Sequence, residues 1–329
     1  MVTQSTTMSS VAIIVIHFNT DQETKDCLDS LSRVKHKGIT LSTYVIDNGS
    51  KNPLHLSDVI LGKTTKLIRS DANLGFTSGN NLGISVALRE SEPDYILLLN
   101  NDTTVKPDFL EKLVSTAQAE PKLGMAVPKI YFYPGKEFHN TAYKTAELGN
   151  VIWFAGGSID WSNLDAFHRG VDEVDHGQFD QTTDTEFVTG CCLLIPRTVL
   201  ERVGALDPKY FLYLEDVDWS MRVKQAGYEL HFVSDAVVWH KNAGSSGGVG
   251  SPTHRYYQTR NRLFFFLRYA QYHFLLSAYS NTAGQTRKLI WFYLRVLKLA
   301  GQKILFGDSK VRRGAVDWLL GHMGKQTVY

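Results

Sequence analysis

The chain has 329 residues, of which 43% are hydrophobic and 21% are charged, as in ordinary globular proteins. This length allows one large α/β domain with an appendage, and the composition excludes long disordered stretches. The formal net charge is +2, so the overall charge does not indicate nucleic acid as a partner, although the C-terminal part is more basic than the rest.

The three cysteines, Cys27, Cys191 and Cys192, have no metal-ligand spacing, and the adjacent pair lies in an apolar run. This setting predicts buried, reduced thiols in a strand and therefore a reducing compartment. The polar start of the sequence lacks the basic and apolar parts of a secretory signal, and no apolar run is long enough to cross a bilayer. We therefore expect a cytoplasmic protein.

The first part of the chain alternates between apolar strands and amphipathic helices. A continuous, mostly β-branched run at 11–16 predicts a strand that is buried on both faces. The helix after it begins at Thr20, where Thr20 and Glu23 have the spacing of a capping box, and ends at Gly38. The next predicted elements are strand 44–46, strand 66–68, helix 80–88, strand 95–99 and a helix opened by Pro107. Short connections between alternating strands and helices predict an α/β fold with a mostly parallel, Rossmann-like sheet and helices on both sides.

The second half is less regular, because residues 134–185 are rich in Gly, Asp, His and aromatic residues and do not divide clearly into elements. The predicted elements beyond them are strand 187–195, helix 197–203, helix 214–225 and strand 230–239. Gly227 closes the last helix in a left-handed turn. A loop rich in glycine and serine at 244–251 separates this part from a C-terminal tail.

Polar side chains directly follow three of the predicted strands. They are Asn19 and Thr20 after the first strand, 47–50 after the second and 100–102 after the fourth. Each cluster alone is compatible with an ordinary turn. Because ligands of a doubly wound sheet bind beyond the carboxyl ends of the strands, three clusters that converge on one crevice favour a bound polar ligand.

Two common nucleotide-binding motifs are absent. No G-x-G-x-x-G follows the first strand and no G-x-x-x-x-G-K-[ST] occurs, which argues against a dinucleotide dehydrogenase and a P-loop nucleotide hydrolase. A nucleotide could still be held by side chains and a metal ion. Asn100, Asn101 and Asp102 offer two amides and one carboxylate after a buried strand, so Asp102 could ligate a divalent cation. His240, at the end of the last predicted strand, is either a structural or solvated histidine or a ligand at the sheet edge.

Three acidic residues, Glu215, Asp216 and Asp218, lie at the start of the predicted helix 214–225. The helix dipole favours acids at that end, and Asp218 can pair with Arg222 four residues later, so a structural role is favoured for Asp218. Glu215 and Asp216 are surrounded by aromatic and apolar residues. Such a setting can raise the pKa of a carboxylate and allow it to act as a base.

Taken in order, these motifs resemble the family 2 glycosyltransferases, which have the GT-A fold, and most closely their rhamnosyltransferase-like branch. The resemblance covers about residues 11–265, and its matching segments are Asn19, 45–50, 73–76, 79–81, 98–102, Gly190, 215–218, 239–240, 256–257 and 260–262. It implies a GT-A catalytic domain over 11–245, with a nucleotide-sugar half at about 11–130 and an acceptor half at about 131–245. A flexible tail over 1–10 would precede this domain, and a glycine-rich loop with a basic, aromatic helical region over 246–329 would follow it.

The resemblance also implies a nucleotide-sugar donor, a dTDP-sugar or a UDP-sugar. The residues that it assigns to the donor site are Asn19, Asp47, Asn48, Asn73, Asn80, Asn100 and Asn101. Asp102 is the implied metal-binding acid of a triplet usually written Asp-x-Asp, and His240 matches a histidine that completes the metal site in some relatives. Asn100 replaces the first acid and leaves one anionic ligand for Mn²⁺ or Mg²⁺. Mixed carboxylate, amide and imidazole ligands suit Mn²⁺ better.

The resemblance identifies Asp216, of the Glu215–Asp216 pair, as the catalytic base. One base and in-line attack by the acceptor hydroxyl give inversion at the anomeric carbon. The implied activity is an inverting glycosyltransferase that moves a sugar, with L-rhamnose as one candidate, to a hydroxyl of a cell-surface polysaccharide or a lipid-linked precursor. The alternative is a catalytically silent relative that binds nucleotide sugar or glycan as a subunit of a complex.

The C-terminal tail combines basic and aromatic residues over 252–305 and predicts two or three helices. These helices either pack on the catalytic domain or on a second copy of the chain, or form an interfacial helix on the anionic inner face of the cell membrane. Arg268, Gln271 and His273 interrupt the apolar run, so a membrane-spanning helix is not expected.

Overall fold

The computed structural model describes residues 8–55, 64–242, 247–248, 250–276 and 282–327. Most of the expected flexible tail over 1–10 lies outside these residues, but Ser9 and Ser10 belong to the first strand rather than to a tail. Part of the glycine-rich loop predicted at 244–251 also lies outside them.

The first part of the chain forms the parallel half of the central sheet. In chain order its elements are β1 (Ser9–His17), α1 (Asp21–Ser32), β2 (Ile39–Asn48), β3 (Thr65–Ser70), α2 (Gly75–Glu90) and β4 (Tyr95–Asn100). β1 pairs in parallel with both β2 and β4, and β2 pairs in parallel with β3. The side chains of 11–15 are at most 1% exposed, as expected of a strand covered on both faces. The predicted alternation of strands and helices is confirmed.

The second part completes the sheet with strands of both directions. Its elements are β5 (Thr103–Val105), α3 (Phe109–Ala119), β6 (Leu123–Phe132), β7 (Ile152–Phe154), β8 (Gly157–Asp160), β9 (Asp165–His168), β10 (Thr183–Asp184), β11 (Cys192–Pro196), α4 (Arg197–Val203), α5 (Glu215–Gln225) and β12 (Glu229–His240). The main strand order is β10-β12-β6-β11-β4-β1-β2-β3, with β5 beside β12 and β7 beside β6. β11 is antiparallel to both neighbours, so the parallel arrangement does not extend through the whole sheet. β8 and β9 form a separate hairpin.

Some local expectations differ from the structure, among them the strand predicted at 187–195, because β11 begins only at Cys192. The side chain of Thr20 makes no capping hydrogen bond at the start of α1; its hydroxyl instead accepts a hydrogen bond from the Asn101 amide (2.6 Å). α1 ends at Ser32, and Gly38, with a φ of +73°, lies in the turn into β2 instead of ending the helix. α2 begins at Gly75, earlier than predicted, because its small and polar first residues are buried and helical rather than part of a loop.

The stretch at 134–185 contains strands of only two to four residues among its described elements, which are too short to produce a periodic signal. The predicted burial of Cys191 and Cys192 is confirmed. Both are free thiols, as is Cys27.

The C-terminal region contains three helices, α6 (Pro252–Gln271), α7 (Thr282–Phe306) and α8 (Ser309–Leu319), and a π-helical turn at Tyr272–Leu276. Phe265, Phe266 and Tyr269 of α6 are at most 2% exposed and belong to the same hydrophobic core as the sheet. Of the arrangements expected for the tail, packing on the sheet domain is therefore observed for α6. Among the helices described, none combines the length and the apolar character needed to span a membrane.

Candidate active site

The carboxyl ends of β1, β2 and β4 lie at one edge of the sheet. In the strand register Ile16 stands opposite Asn100, and His17 stands opposite Asp47. A pocket of about 610 Å³ opens there, within the size range of small-ligand sites. Of the three polar clusters expected to converge, 100–102 and Asn48 line this pocket, whereas Asn19 and Thr20 do not. Eight of the eleven predicted site residues line this pocket, namely Asn48, Asn73, Asn100, Asn101, Asp102, Glu215, Asp216 and His240.

Asp47 lies behind the pocket and holds the loop that follows β2. It is 1% exposed, accepts hydrogen bonds from the N–H groups of Ser50 (3.0 Å) and Leu54 (3.2 Å), and pairs with Arg69. Burial by itself would raise the pKa of Asp47, but the hydrogen bonds from Ser50, Leu54 and Arg69 outweigh it and hold this pKa below its usual value. The carboxylate is therefore ionised and already occupied by protein groups.

Asn19 and Asn80 also bind protein groups instead of lining the pocket. The Asn19 side chain accepts a hydrogen bond from the Lys51 N–H (2.8 Å), which ties the end of β1 to the loop after β2. Asn80 is 1% exposed within α2 and donates to the Phe76 carbonyl (2.9 Å). Asn80 therefore does not line this pocket, because its amide bonds to the backbone one helical turn earlier.

Asn48 and Asn73 shape a loop on the pocket wall. The Asn48 amide donates to the Gly75 carbonyl (3.0 Å) and to Asn73 Oδ1 (3.3 Å), and its oxygen accepts from the Leu74 N–H (3.0 Å). Gly75 has a φ of +78°, and a Cβ there would lie 2.4 Å from the Phe211 ring, so only glycine fits. The loop after β3 therefore packs directly on the segment that precedes α5.

Asp102 and His240 meet at the pocket wall although they are far apart in the chain. His240 Nε2 lies 3.1 Å from Asp102 Oδ1. The antiparallel pairing of β12 with β5 produces this contact, because it sets His240 opposite Thr103. The side chains are 6% and 14% exposed, and the Trp153 ring contacts His240 edge-on with centroids 4.5 Å apart. Within the described ranges, no cluster of three or more His, Cys, Asp and Glu side chains could hold a metal ion.

α5 begins with Glu215 and Asp216 at the pocket. The Asp216 carboxylate accepts hydrogen bonds from the N–H groups of Gly190 (2.9 Å) and Val217 (2.8 Å), which fix its orientation. Burial raises the pKa of Asp216, although these hydrogen bonds act in the opposite direction. Glu215 is 5% exposed, and burial together with the Asp216 charge raises its pKa well above the usual value. Glu215 Oε2 has no hydrogen-bond partner among the described residues, whereas each of the two Asp216 oxygens accepts a hydrogen bond from a backbone N–H group.

Replacing Glu215 by Gln is expected to stabilise the protein increasingly as the pH rises. Because the pKa of Glu215 is raised on folding, its contribution to stability is complete below about pH 4.3, the usual glutamate pKa, and is lost as the pH rises through the folded-state pKa. Between these two pKa values the wild type should lose about 1.4 kcal/mol per pH unit relative to the variant. Thermal unfolding of both proteins from about pH 4 to about pH 8 measures this difference, and a pH-independent difference would contradict it.

Asp218 occupies a structural position, as its sequence setting favours. It is completely buried and accepts hydrogen bonds from the hydroxyls of Tyr210 (3.1 Å) and Tyr269 (2.8 Å). It also pairs with Arg222 (3.0 Å), the predicted partner, and with Arg268 (3.1 Å). Asp218 therefore joins α5 to α6.

Arg260 and Asn261 of α6, which had no expected role, hold residues 209–214, the segment that precedes α5. This segment contains three residues in the left-handed region, Phe211 (φ 64°), Tyr213 (φ 70°) and Leu214 (φ 63°). The Asn261 amide lies 2.8–3.0 Å from three backbone carbonyls of the segment, and the Arg260 guanidinium donates to two at 2.9–3.1 Å. Both side chains are 0% exposed. No sequence signal reveals this contact, because every residue has a backbone carbonyl.

His168 also lines the pocket, although it was not a sequence candidate. Burial lowers the pKa of His168 to about 4, so the imidazole is neutral at physiological pH. Its Nδ1 lies 3.1 Å from the Trp153 carbonyl. Both residues belong to short strands within 134–185, where the sequence carries no periodic signal.

Comparisons with known proteins identify the family and the fold. A sequence profile of the family described as glycosyltransferase like family 2 matches residues 9–275. The chain is 24% identical over 242 residues to the N-acetylglucosaminyl-diphospho-decaprenol L-rhamnosyltransferase of Mycobacterium tuberculosis, a match that covers 71% of this chain and 77% of that protein. It is 23% identical over 269 residues to the dTDP-rhamnosyl transferase RfbF of Shigella flexneri, covering 77% of this chain and 78% of that protein.

Among solved structures, the chain is similar to the crystal structure of GalNAc-T7 with UDP, GalNAc and Mn²⁺. The TM-score is 0.56 at 15% identity, over 88% of this chain and 57% of that chain. At this identity the similarity shows the shared fold alone, and it bears out the predicted GT-A fold. Because the family profile spans most of the sequence, the chain belongs to glycosyltransferase family 2.

Proposed function

We propose that the protein is an inverting glycosyltransferase that transfers a sugar from a nucleoside-diphosphate donor to an acceptor hydroxyl, with Asp216 as the base. The observation that supports this most is that Asp216 and the Asp102–His240 pair line the same pocket. Asp216 has a raised pKa, which suits a proton acceptor. The pair offers a carboxylate and an imidazole to a cation.

In the proposed reaction the oxygen of the acceptor hydroxyl attacks the anomeric carbon of the donor sugar. The bond from that carbon to the diphosphate oxygen breaks, and its electron pair leaves on the diphosphate. The Asp216 carboxylate takes the hydroxyl proton, while the N–H groups of Gly190 and Val217 keep it oriented. Attack from the side opposite the leaving group inverts the anomeric configuration.

Asp102 and His240 are suited to hold a divalent ion. Neighbouring ligands of an octahedral ion with bonds of about 2.1 Å lie about 3 Å apart, and the two facing atoms here are separated by 3.1 Å. A carboxylate combined with an imidazole favours Mn²⁺ over Mg²⁺. Such an ion, when bound, would offset the negative charge that develops on the departing diphosphate.

For the donor and acceptor we propose the classes named in the two rhamnosyltransferase relatives. One name specifies a dTDP-linked rhamnosyl group, and the other specifies L-rhamnose and a lipid diphosphate acceptor. We therefore propose dTDP-L-rhamnose as the donor. The proposed acceptor is a hydroxyl of a lipid-linked glycan that is used in cell-surface polysaccharide synthesis.

Thermal unfolding with added nucleotide sugars, with and without Mn²⁺, tests the donor and the metal together. We expect the largest stabilisation from dTDP-L-rhamnose with Mn²⁺, compared with UDP-sugars, because a ligand of the native state stabilises it according to its affinity. Asp102→Asn should weaken Mn²⁺-dependent donor binding at least about 10-fold. Losing an outer-shell partner of a metal typically costs about 10-fold or more, and losing a direct ligand should cost no less. Asp184→Asn, at a carboxylate that is 84% exposed, is the matched control and should leave binding unchanged.

Donor hydrolysis and transfer, measured in the same samples, separate the two functional alternatives. Mn²⁺-dependent hydrolysis of the donor supports the enzyme. Donor binding without hydrolysis or transfer would support a catalytically silent subunit instead, and the absence of stabilisation by every nucleotide sugar would contradict both.

A further inference from the structure

The charge of the chain is divided sharply along its length. Residues 236–329 contain fourteen Lys and Arg but only two acids, Asp308 and Asp317, whereas residues 1–235 contain 21 Lys and Arg and 31 Asp and Glu. The C-terminal part therefore carries a formal charge of +12 and the rest −10. α7 (Thr282–Phe306) contains no acid at all. A surface built from this helix attracts anionic partners.

α7 exposes a continuous apolar stripe that its packing against the described residues does not cover. Ile290, Leu294 and Leu297 are 52–54% exposed and follow the three- and four-residue spacing of one helix face. Trp291, beside this stripe, is 63% exposed, and Leu305, further along the helix, is 69% exposed. The opposite side of the helix is already packed, because Leu289, Phe292, Val296 and Ala300 are buried in the core.

A groove of about 1070 Å³ runs along one flank of this stripe. The described residues that line it include four cations, Arg287, Lys288, Arg295 and Lys298, with aromatic, aliphatic and uncharged polar side chains and no acid. Within the part of the chain that the structure describes, none of these four cations makes an ion pair. Other cations of the C-terminal part do have carboxylate partners, for example Arg255 with Asp308 at 3.0 Å.

We propose that α7 docks on an anionic lipid surface, with its apolar stripe in the boundary between headgroups and acyl chains and its four groove cations on lipid phosphates. Apolar side chains flanked by cations on one helix are the features of an interfacial helix, and each cation near an anionic leaflet adds to the attraction. A second copy of the chain fits less well as the occupant, because a two-fold contact through α7 would bring two acid-free helices together.

The position of the groove relates this docking to the acceptor, an inference that rests on the proposed function. Residues 161–164, at the turn of the β8–β9 hairpin, line the groove, while Asp165 and Ala166 of the same hairpin line the active-site pocket. Arg262 of α6 donates to the Asn163 carbonyl (2.9 Å) and holds this turn. A bilayer that contacts the groove would therefore lie next to the pocket, where it could present a lipid-linked acceptor.

Flotation of the full-length protein with lipid vesicles tests the docking without any turnover. We expect binding to vesicles of phosphatidylcholine with phosphatidylglycerol, weaker binding at high salt, and little binding to phosphatidylcholine alone. Neutralising two groove cations, in Arg295→Ala/Lys298→Ala, should lower the partition coefficient about 30-fold, or about fivefold for each charge. The matched control, Lys35→Ala/Lys37→Ala, removes two exposed charges from the turn between α1 and β2 and should bind like the wild type.

Equal flotation of the groove variant and the control variant, or no preference for anionic vesicles, would overturn the proposal. A dimer in solution would also overturn the proposal if Leu294→Glu dissociated that dimer and the wild type did not float. A second copy of the chain would then cover the stripe. Donor-dependent thermal stabilisation should be the same in all these variants. Loss of flotation with intact donor binding thus tests the membrane surface alone, whereas absent donor binding in the wild type concerns only the proposed function.

Discussion

Sugar transfer is expected to fall about 10²–10⁴-fold when Asp216 is replaced by Asn, the usual contribution of a general base. The Asn side chain has nearly the same size, and its oxygen can still accept the hydrogen bond that the Gly190 N–H donates to the carboxylate. Its amide cannot take a proton from the acceptor hydroxyl. Donor stabilisation with Mn²⁺ should be unchanged, because the predicted metal ligands lie on other elements. Initial rates for kcat and KM, measured beside thermal unfolding with donor, check both parts.

Glu215→Gln is the matched comparison, since it removes the neighbouring carboxyl group from the same helix end. Burial and the Asp216 charge raise the pKa of Glu215 well above its usual value, which favours the neutral form, so the neutral Gln side chain should preserve most of the activity. Because the pKa of Asp216 is raised as well, kcat/KM should fall on acidification at a higher pH than the usual aspartate pKa of about 3.9. If Asp216→Asn keeps most of its turnover while Glu215→Gln loses it, the base is Glu215.

The edge of the sheet that carries the pocket could be predicted because two simple rules act together there. Apolar β-branched runs such as 11–16 mark buried strands, and polar residues directly after parallel strands must lie at the same edge. β11 could not be placed by these rules. It is five residues long and enters antiparallel between β4 and β6, which lie far from it in sequence.

The direction of each polar side chain at that edge was less predictable. A carboxylate or amide after a strand can bind either a ligand or the N–H groups of its own loop, and its residue type is the same in both cases. Asp47 and Asn80 bond to the protein, whereas Asp102 meets His240 on the pocket wall. The contact between Asp102 and His240 results from the pairing of β12 with β5, and only the family resemblance predicted it.

Asn261→Asp is expected to cause a large loss of both stability and activity. The substitution keeps the shape but replaces the amide N–H donors by an acceptor that faces three backbone carbonyls. At about 1 kcal/mol for each lost hydrogen bond, and more for each buried carbonyl left unsatisfied, the free energy of unfolding should fall by about 3 kcal/mol or more. Denaturant unfolding measures this loss. Asn150→Asp, at an exposed residue, is the control and should change it little.

The activity loss should exceed what unfolding alone explains. Phe211, Tyr213 and Leu214 each hold a left-handed conformation that costs about 1–2 kcal/mol, so without the Asn261 donors the segment can relax and move the start of α5 with Asp216. Well below the unfolding temperature of the variant, kcat should therefore drop while donor affinity changes less. A variant with normal kcat in the folded state would show that Asn261 only stabilises. The same contacts tie α6 to the segment that precedes α5, so removal of the chain beyond residue 250 is expected to abolish transfer whether or not α7 binds lipid.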